Sequence, residues 1–280
     1  MSELEGTLSN GMLAEMRYSG DGGFQLVVDG TPQSHVDPER PDFLLYEYVR
    51  RIGHVIDALP NGPLTAVHLG AGAMTLPRYV EHTRPGSRQQ VLELEPGLVE
   101  LVRSVAPLPK RASIRLRYGD ARETLGKLPN GLLGTVDLVI VDVFSGARTP
   151  AHVTSIEFHT LLAGLPSANG IIAINIADGK GLQFARSQLA TLKVVHPHVA
   201  AIADTGLLKG RRFGNLVAIA SQQPLPSEAL PAILARDAFP AKLIIGDELD
   251  RLISGAAPVL DQSAVPSPPP ARSVFQVPRG

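Results

Sequence analysis

The chain has no cysteine, which excludes disulfide frameworks, thiolate metal sites and cysteine nucleophiles, and removes any argument for an oxidising compartment. It has no basic excess either. The formal net charge is −1 and the sequence pI about 6.7, so nothing attracts a phosphate backbone and no nucleic-acid partner is expected. Small basic clusters at Arg88, Lys110, Arg111, Arg115, Arg117, Arg211 and Arg212 read as solvated surface. No apolar run approaches the roughly 20 residues needed to cross a bilayer, and the opening MSELEGTLSN carries two glutamates and no apolar core, unlike a signal peptide. No membrane partner follows, and a cytoplasmic location is expected. The eight histidines show no metal-ligand spacing with carboxylates, and GxSxG is absent, so neither a metal site nor a serine-hydrolase triad is signalled.

What remains is an ordinary globular composition, 44% hydrophobic and 19% charged over 280 residues, with a strong rhythm inside it. Four apolar segments each end in a glycine-rich or acidic turn: TAVHLGAGAM from Thr65, QVLELEP from Gln90, RLRYGDA from Arg115 and DLVIVDVF from Asp137. Gly70, Glu93, Asp120 and Asp142 lie 23, 27 and 22 residues apart, the length of one strand plus one helix. The spacing predicts strands near 65–69, 89–94, 113–118 and 136–141, alternating with helices near 73–82, 97–105, 120–128 and 155–163. A fifth strand follows at Gly170, a helix near 181–193, and two late strands from His198 and Asn215 that pair antiparallel at one edge. The fold class is α/β: a Rossmann-like, methyltransferase-type, mostly parallel seven-stranded sheet with a small N-terminal antiparallel β unit.

Three regions are expected. Residues 1–60 comprise a loose tail over 1–12, the β unit over 13–36 and a linking helix with Asp42 as N-cap. Residues 61–223 form the nucleoside-binding domain. Residues 224–280 are Pro-rich, with one or two short helices over 226–255 and disorder over 261–280.

Ligands of parallel sheets bind beyond the carboxyl ends of the strands, where the four turns lie. Gly70 and Gly72 permit a tight turn and close approach of backbone N–H groups to a ligand, although Thr75 stands at the third glycine position of GxGxxG. Glu93 ends the second strand, where a carboxylate can accept from both ribose hydroxyls. Glu95 faces the same way and competes for that role. Asp120, in the Gly119-Asp120-Ala121 turn, suits both an adenine amine and a helix N-cap. Asp142, an acid after three apolar β residues, is costly unless paired, which makes it the sharpest functional candidate.

Taken together, these segments resemble the spermidine synthase family of aminopropyltransferases, in particular its divergent members. The similarity runs from about Leu13 to Ser221. It includes FQLVVDGTPQ from Phe24, the Gly70 turn, ELEP from Glu93, the Gly119 turn, VDVFSGARTPAH from Val141 and GNLVAIAS from Gly214. The resemblance implies decarboxylated S-adenosylmethionine, or S-adenosylmethionine, as co-substrate, with no metal. It implies Gln33, Gly70, Gly72 and Ala121 beside that donor, Glu93 on its ribose, Asp120 on its adenine and Asp142 as the first acid of a D-x-x-D loop. Ser145 replaces the second acid, Ala73 replaces the acid of the glycine loop, and the Tyr-His/Gln-Glu segment becomes Leu45, Tyr46 and Glu47. Asp142 and Ser145 are the catalytic candidates, and Tyr46 and Glu47 the acceptor-binding ones. A small-molecule amine or another acceptor, and a homodimer through the N-terminal β unit, complete what the resemblance implies. The alternatives are a methyl transfer from S-adenosylmethionine and a non-catalytic nucleoside-binding homologue. A nicotinamide dehydrogenase is disfavoured by the incomplete GxGxxG.

Overall fold

The computed structural model of the chain describes residues 4–269. Four antiparallel strands, β1 (Leu4–Thr7), β2 (Leu13–Tyr18), β3 (Phe24–Val28) and β4 (Thr31–Val36), form the N-terminal sheet in that order. Asp29 and Gly30, both at positive φ, make the two-residue turn that sets the β3–β4 register. Residues 4–7, read from sequence as part of a loose tail, are an edge strand on β2. Their order comes from ladder bonds to β2 and from buried Leu8 just beyond, which a four-residue segment with one apolar side chain does not announce.

Helix α1 (Glu47–Asp57) buries Val49, Ile52, Val55 and Ile56. It starts five residues after the expected Asp42 cap, with Tyr46 at the N-cap and no side-chain cap bond. The preceding residues instead seat Phe43 edge-on against His35, under the Arg40 guanidinium.

The second sheet is built from β5 (Thr65–Leu69), α2 (Thr75–Thr83), β6 (Arg88–Glu93), α3 (Pro96–Val105), β7 (Ser113–Tyr118), α4 (Ala121–Leu125), β8 (Val136–Val141), α5 (Ile156–Leu162) and β9 (Pro166–Asp178). The chain continues through α6 (Gln183–Val195), β10 (His198–Ala203), α7 (Thr205–Leu208), β11 (Gly214–Ser221), α8 (Leu230–Arg236), β12 (Lys242–Ile244) and α9 (Gly246–Ile253). Strand order is β12-β10-β11-β9-β8-β5-β6-β7. Strands β5 to β9 are mutually parallel, and β11 runs antiparallel to both β9 and β10. The seven strands legible in the sequence are present; β12, three residues long, adds an eighth at the β10 edge. Alternation along the buried strands feeds two cores. Val139 and Val141 face α4, α5 and α6, whereas Leu138 and Ile140 face α1, α2 and α8. The chain winds outward from β5 to β7 and then returns to β8 on the other side of β5, so the strand order reverses at β5/β8 and a cleft opens there.

The C-terminal residues 261–269, expected to be disordered, pack on the molecule. The side chains of Asp261 and Ser267 have specific polar partners on the second domain, an ordering force that apolar content does not reveal. Residues 270–280, the rest of that expectation, lie outside the described residues. Among the described residues no helix is long and apolar enough to cross a membrane.

Candidate functional site

The cleft is assembled by the turns that leave β5, β6, β7 and β8. At Gly70 φ is +92°, and a Cβ there would lie 2.2 Å from the Asp142 carbonyl oxygen, so only glycine lets the β5 and β8 ends approach this closely. The chain then turns through Gly72, also at positive φ, into α2. Thr75, at the third glycine position of GxGxxG, donates its hydroxyl to the His35 carbonyl and lies 3.3 Å from Ser34 Oγ, tying the start of α2 to β4 beside Gln33.

Glu93 closes the turn from the neighbouring strand. Its two oxygens accept from the Ala71 and Glu95 amides at 2.8 and 3.0 Å. Burial pushes its carboxyl above the usual range, partly offset by those amides. Glu95, its rival from sequence, accepts instead from the amide and hydroxyl of Ser9, at 2.9 and 2.6 Å, and so fastens the N-terminal sheet.

Asp120 is the N-cap of α4, with Oδ1 accepting from the Arg122 and Glu123 amides, while Oδ2 lies 2.7 Å from Nε2 of His152. Burial alone would raise its pKa; the Glu123 amide and the His152 imidazole outweigh that and hold the carboxyl below the usual range. The structure shows the helix cap, and the same carboxylate lines the cleft with Oδ2 facing His152.

Asp142 accepts from Asn175 Nδ2 at 2.8 Å and faces the Tyr48 hydroxyl at 3.3 Å. Burial pushes its carboxyl up, against the lowering effect of those two donors, and pushes the Tyr48 phenol well up. Asn175 accepts in turn from Asn215 at 2.9 Å, and the Asn215 carbonyl accepts from buried Arg51 at 2.7 Å. A polar chain therefore runs from the floor of the cleft to the amino-terminal half of α1.

Gln33, Gly70, Gly72, Glu93, Asp120, Ala121, Asp142 and Ser145 line one cavity of about 300 Å³, with Ser145 exposed at its rim on the loop after β8. Tyr46 and Glu47 do not reach it. They line an adjoining cavity of about 390 Å³, and Gln33, Tyr48 and Phe144 form the shared wall. Tyr46 accepts from Gln25 at 2.9 Å and stacks on Tyr48, ring centroids 6.4 Å apart. Glu47 is held by Arg212 at 2.6 Å and Arg51 at 3.1 Å, and both arginines also reach Asp204. Arg212, read from sequence as solvated surface charge, is in fact part of this network. Ala73 is fully buried among the apolar contacts between α2 and the N-terminal sheet. Tyr48, His152 and Asn175 were missed by sequence reasoning. Only Asn175 carried a signal, as a polar residue inside the apolar run from Gly170. Among the described residues no group of three His, Asp or Glu side chains is placed to hold a metal ion.

No family model matches the chain. Among solved structures it superposes on a probable spermidine synthase from Corynebacterium glutamicum ATCC 13032 with a TM-score of 0.83 and 29% identity, covering 91% of this chain and 95% of that one. The chain is thus similar to a spermidine synthase along most of its length. A spermidine synthase in complex with the transition-state analogue AdoDATO shares the fold, with a TM-score of 0.59 at 15% identity over 91% and 83% of the two chains. Among curated proteins, the polyamine aminopropyltransferase of Vibrio vulnificus is 25% identical over 108 residues, 38% of this chain and 36% of that protein. The N-terminal histidine N-methyltransferase of Emericella nidulans is 26% identical over 192 residues, 67% of this chain and 33% of that protein. The chain spans about a third of the length of these curated relatives.

Proposed function

We propose that the chain transfers the aminopropyl group of decarboxylated S-adenosylmethionine to an amine. One observation carries this reading: two cavities, each large enough for a small substrate, share a wall at Gln33, Tyr48 and Phe144, with the Asp142 carboxylate beneath it. In this proposal the donor fills the cavity bounded by Gly70, Gly72 and Ala121, its ribose at Glu93 and its adenine at Asp120, while the acceptor occupies the cavity beside Tyr46 and Glu47.

Reaction requires that the acceptor ammonium lose a proton, because a protonated nitrogen has no lone pair. Asp142 takes that proton; burial, by raising its pKa, makes its carboxylate a stronger base than an exposed aspartate. The freed lone pair attacks the methylene carbon beside the sulfonium. The carbon–sulfur bond breaks, its electron pair stays on sulfur, and neutral methylthioadenosine leaves. Ser145, uncharged, takes no part in drawing in the cation. A homodimer, a cytoplasmic setting and a role in polyamine metabolism belong to the same proposal and are supported by the resemblance alone.

A second reading, methyl transfer from S-adenosylmethionine, is favoured by one feature: Ala73 stands where the family's acid would attract the aminopropyl ammonium. Calorimetry with both donors, followed by assay for methylthioadenosine in the presence of amines, separates the two. Tighter binding of the decarboxylated donor with release of methylthioadenosine is the expected result. Tighter binding of S-adenosylmethionine, with no methylthioadenosine formed, replaces it with the methyl-transfer reading.

A further inference from the structure

The acceptor cavity is unlike a receptor for a chain of ammonium groups. Its walls are largely aromatic and apolar: Tyr46, Tyr48, Phe144 and Phe213, with Pro32 and Ala177. Asp142 lines the neighbouring donor cavity and stands directly behind Tyr48 and Asn175 at the inner end of this one. The acid in its own lining, Glu47, has Oε2 bonded to both Arg212 and Arg51. Asp204, which completes the cluster, also bonds both guanidiniums and caps α7 through Oδ1. Two carboxylates face two guanidiniums, so that wall carries no net charge. An ammonium leaving water needs an uncompensated counter-charge to offset its desolvation, and beside this cavity one such group stands, Asp142, behind Tyr48 and Asn175 at one end.

Resting on the aminopropyl-transfer reading, we propose that the acceptor is a monoamine with a flat apolar body, an arylalkylamine, rather than a linear diamine. Its single amino group meets Asp142 and its ring lies among the tyrosines and phenylalanines. The Arg212–Glu47 pair closes the far end against a second cation. The bond changes are those already given: the acceptor nitrogen gains the propyl carbon, sulfur keeps the electron pair, and one proton passes to Asp142.

The test measures initial rates of methylthioadenosine release from decarboxylated S-adenosylmethionine by the full chain, with phenethylamine, putrescine, cadaverine and spermidine in turn. The expected kcat/KM for phenethylamine exceeds that for putrescine by about tenfold or more, a discrimination typical of pocket complementarity. Putrescine equal or better overturns the acceptor class and leaves aminopropyl transfer standing. No methylthioadenosine with any of the four amines removes the aminopropyl reading, and this inference with it. In Arg212→Gln, Glu47 regains charge toward the cavity, and the putrescine-to-phenethylamine ratio is expected to rise about tenfold, whereas Arg212→Lys keeps the wild-type ratio. An unchanged ratio in Arg212→Gln, or an equal rise in Arg212→Lys, refutes the role given to the ion pair.

Discussion

The side-chain amide of Asn175 donates to Oδ1 of Asp142 at 2.8 Å, across neighbouring parallel strands β9 and β8. This bond orients a cleft-floor acid that has no cationic partner among the described residues. It leaves Oδ2 facing Tyr48, on the shared wall of the two cavities.

Asp142→Asn is therefore expected to lower kcat about 10²–10⁴-fold, the range for a lost general base, with the donor Kd nearly unchanged. Steady-state rates and donor calorimetry measure the two separately. Weakened donor binding at unchanged kcat would make Asp142 a binding group instead.

Asn175→Asp sets a second carboxylate against the first. Like charges disfavour joint ionisation, so the pKa of Asp142, already raised by burial, rises further. Activity needs the ionised form and falls as pH drops through that value. The acid limb of the kcat profile should move to higher pH in the variant, and an unmoved limb contradicts the proton-accepting role.

Glu93→Gln leaves one acceptor oxygen where the Ala71 and Glu95 amides now have two. The unpaired amide costs about 1–3 kcal/mol, so Tm is expected to fall and donor affinity to drop about 10-fold or more as the turn at Gly70 loosens. Thermal unfolding with and without S-adenosylmethionine or its decarboxylated form reports both effects. Unaltered affinity would show that the carboxylate serves the turn alone.

Three of the buried histidines, His68, His159 and His196, contribute to the acid sensitivity of the fold. Burial lowers His68 and His196 to about 4, and burial together with the nearby His196 lowers His159 to about 3. An unfolded histidine titrates near 6.5, so the unfolded chain binds more protons at intermediate pH. The stability from these neutral rings is complete above about 6.5 and is lost progressively as pH falls toward their folded values. His159→Leu removes one of these protonation sites from the buried core. Its Tm should decline less between pH 6.5 and 4 than that of the parent; parallel curves would be inconsistent with this account.

The loop after β8 is held from outside. Arg122 grips Asp261 through two bonds of 2.7 Å, and Ser267 exchanges bonds with Thr149, amide to carbonyl at 3.0 Å and amide to hydroxyl at 2.8 Å. In the double variant Asp261→Ala, Ser267→Ala, amides over residues 143–154 are expected to exchange faster by about tenfold or more, with KM raised and global Tm little altered. Hydrogen exchange resolved by segment checks this, and unchanged protection of the loop would count against it.

Much of this architecture could be read from the sequence because it rests on backbone geometry. Gly70 and Asp142 were legible since a tight turn admits few residues and an acid after Val139, Ile140 and Val141 is conspicuous. The strand rhythm was legible because both faces of a parallel sheet are buried. The remainder depends on partners distant along the chain. Strand β12 is three residues joined to β10 by ladder bonds, and Leu4–Thr7 is ordered by β2. Nothing local tells Arg212, bonded to Glu47 and Asp204, from its solvated neighbour in sequence, or gives Tyr48 its place opposite Asp142. Asp42 had the chemistry of a helix cap, but the packing of Phe43 delayed the helix.

The anchoring of residues 143–154 by Ser267 has a consequence for biosynthesis. Translation delivers the glycine turn, the three strand-end acids and the loop itself long before the serine that fastens it. A nascent chain that has not yet released Ser267 therefore lacks both bonds that this serine makes to Thr149 in the loop over the cleft.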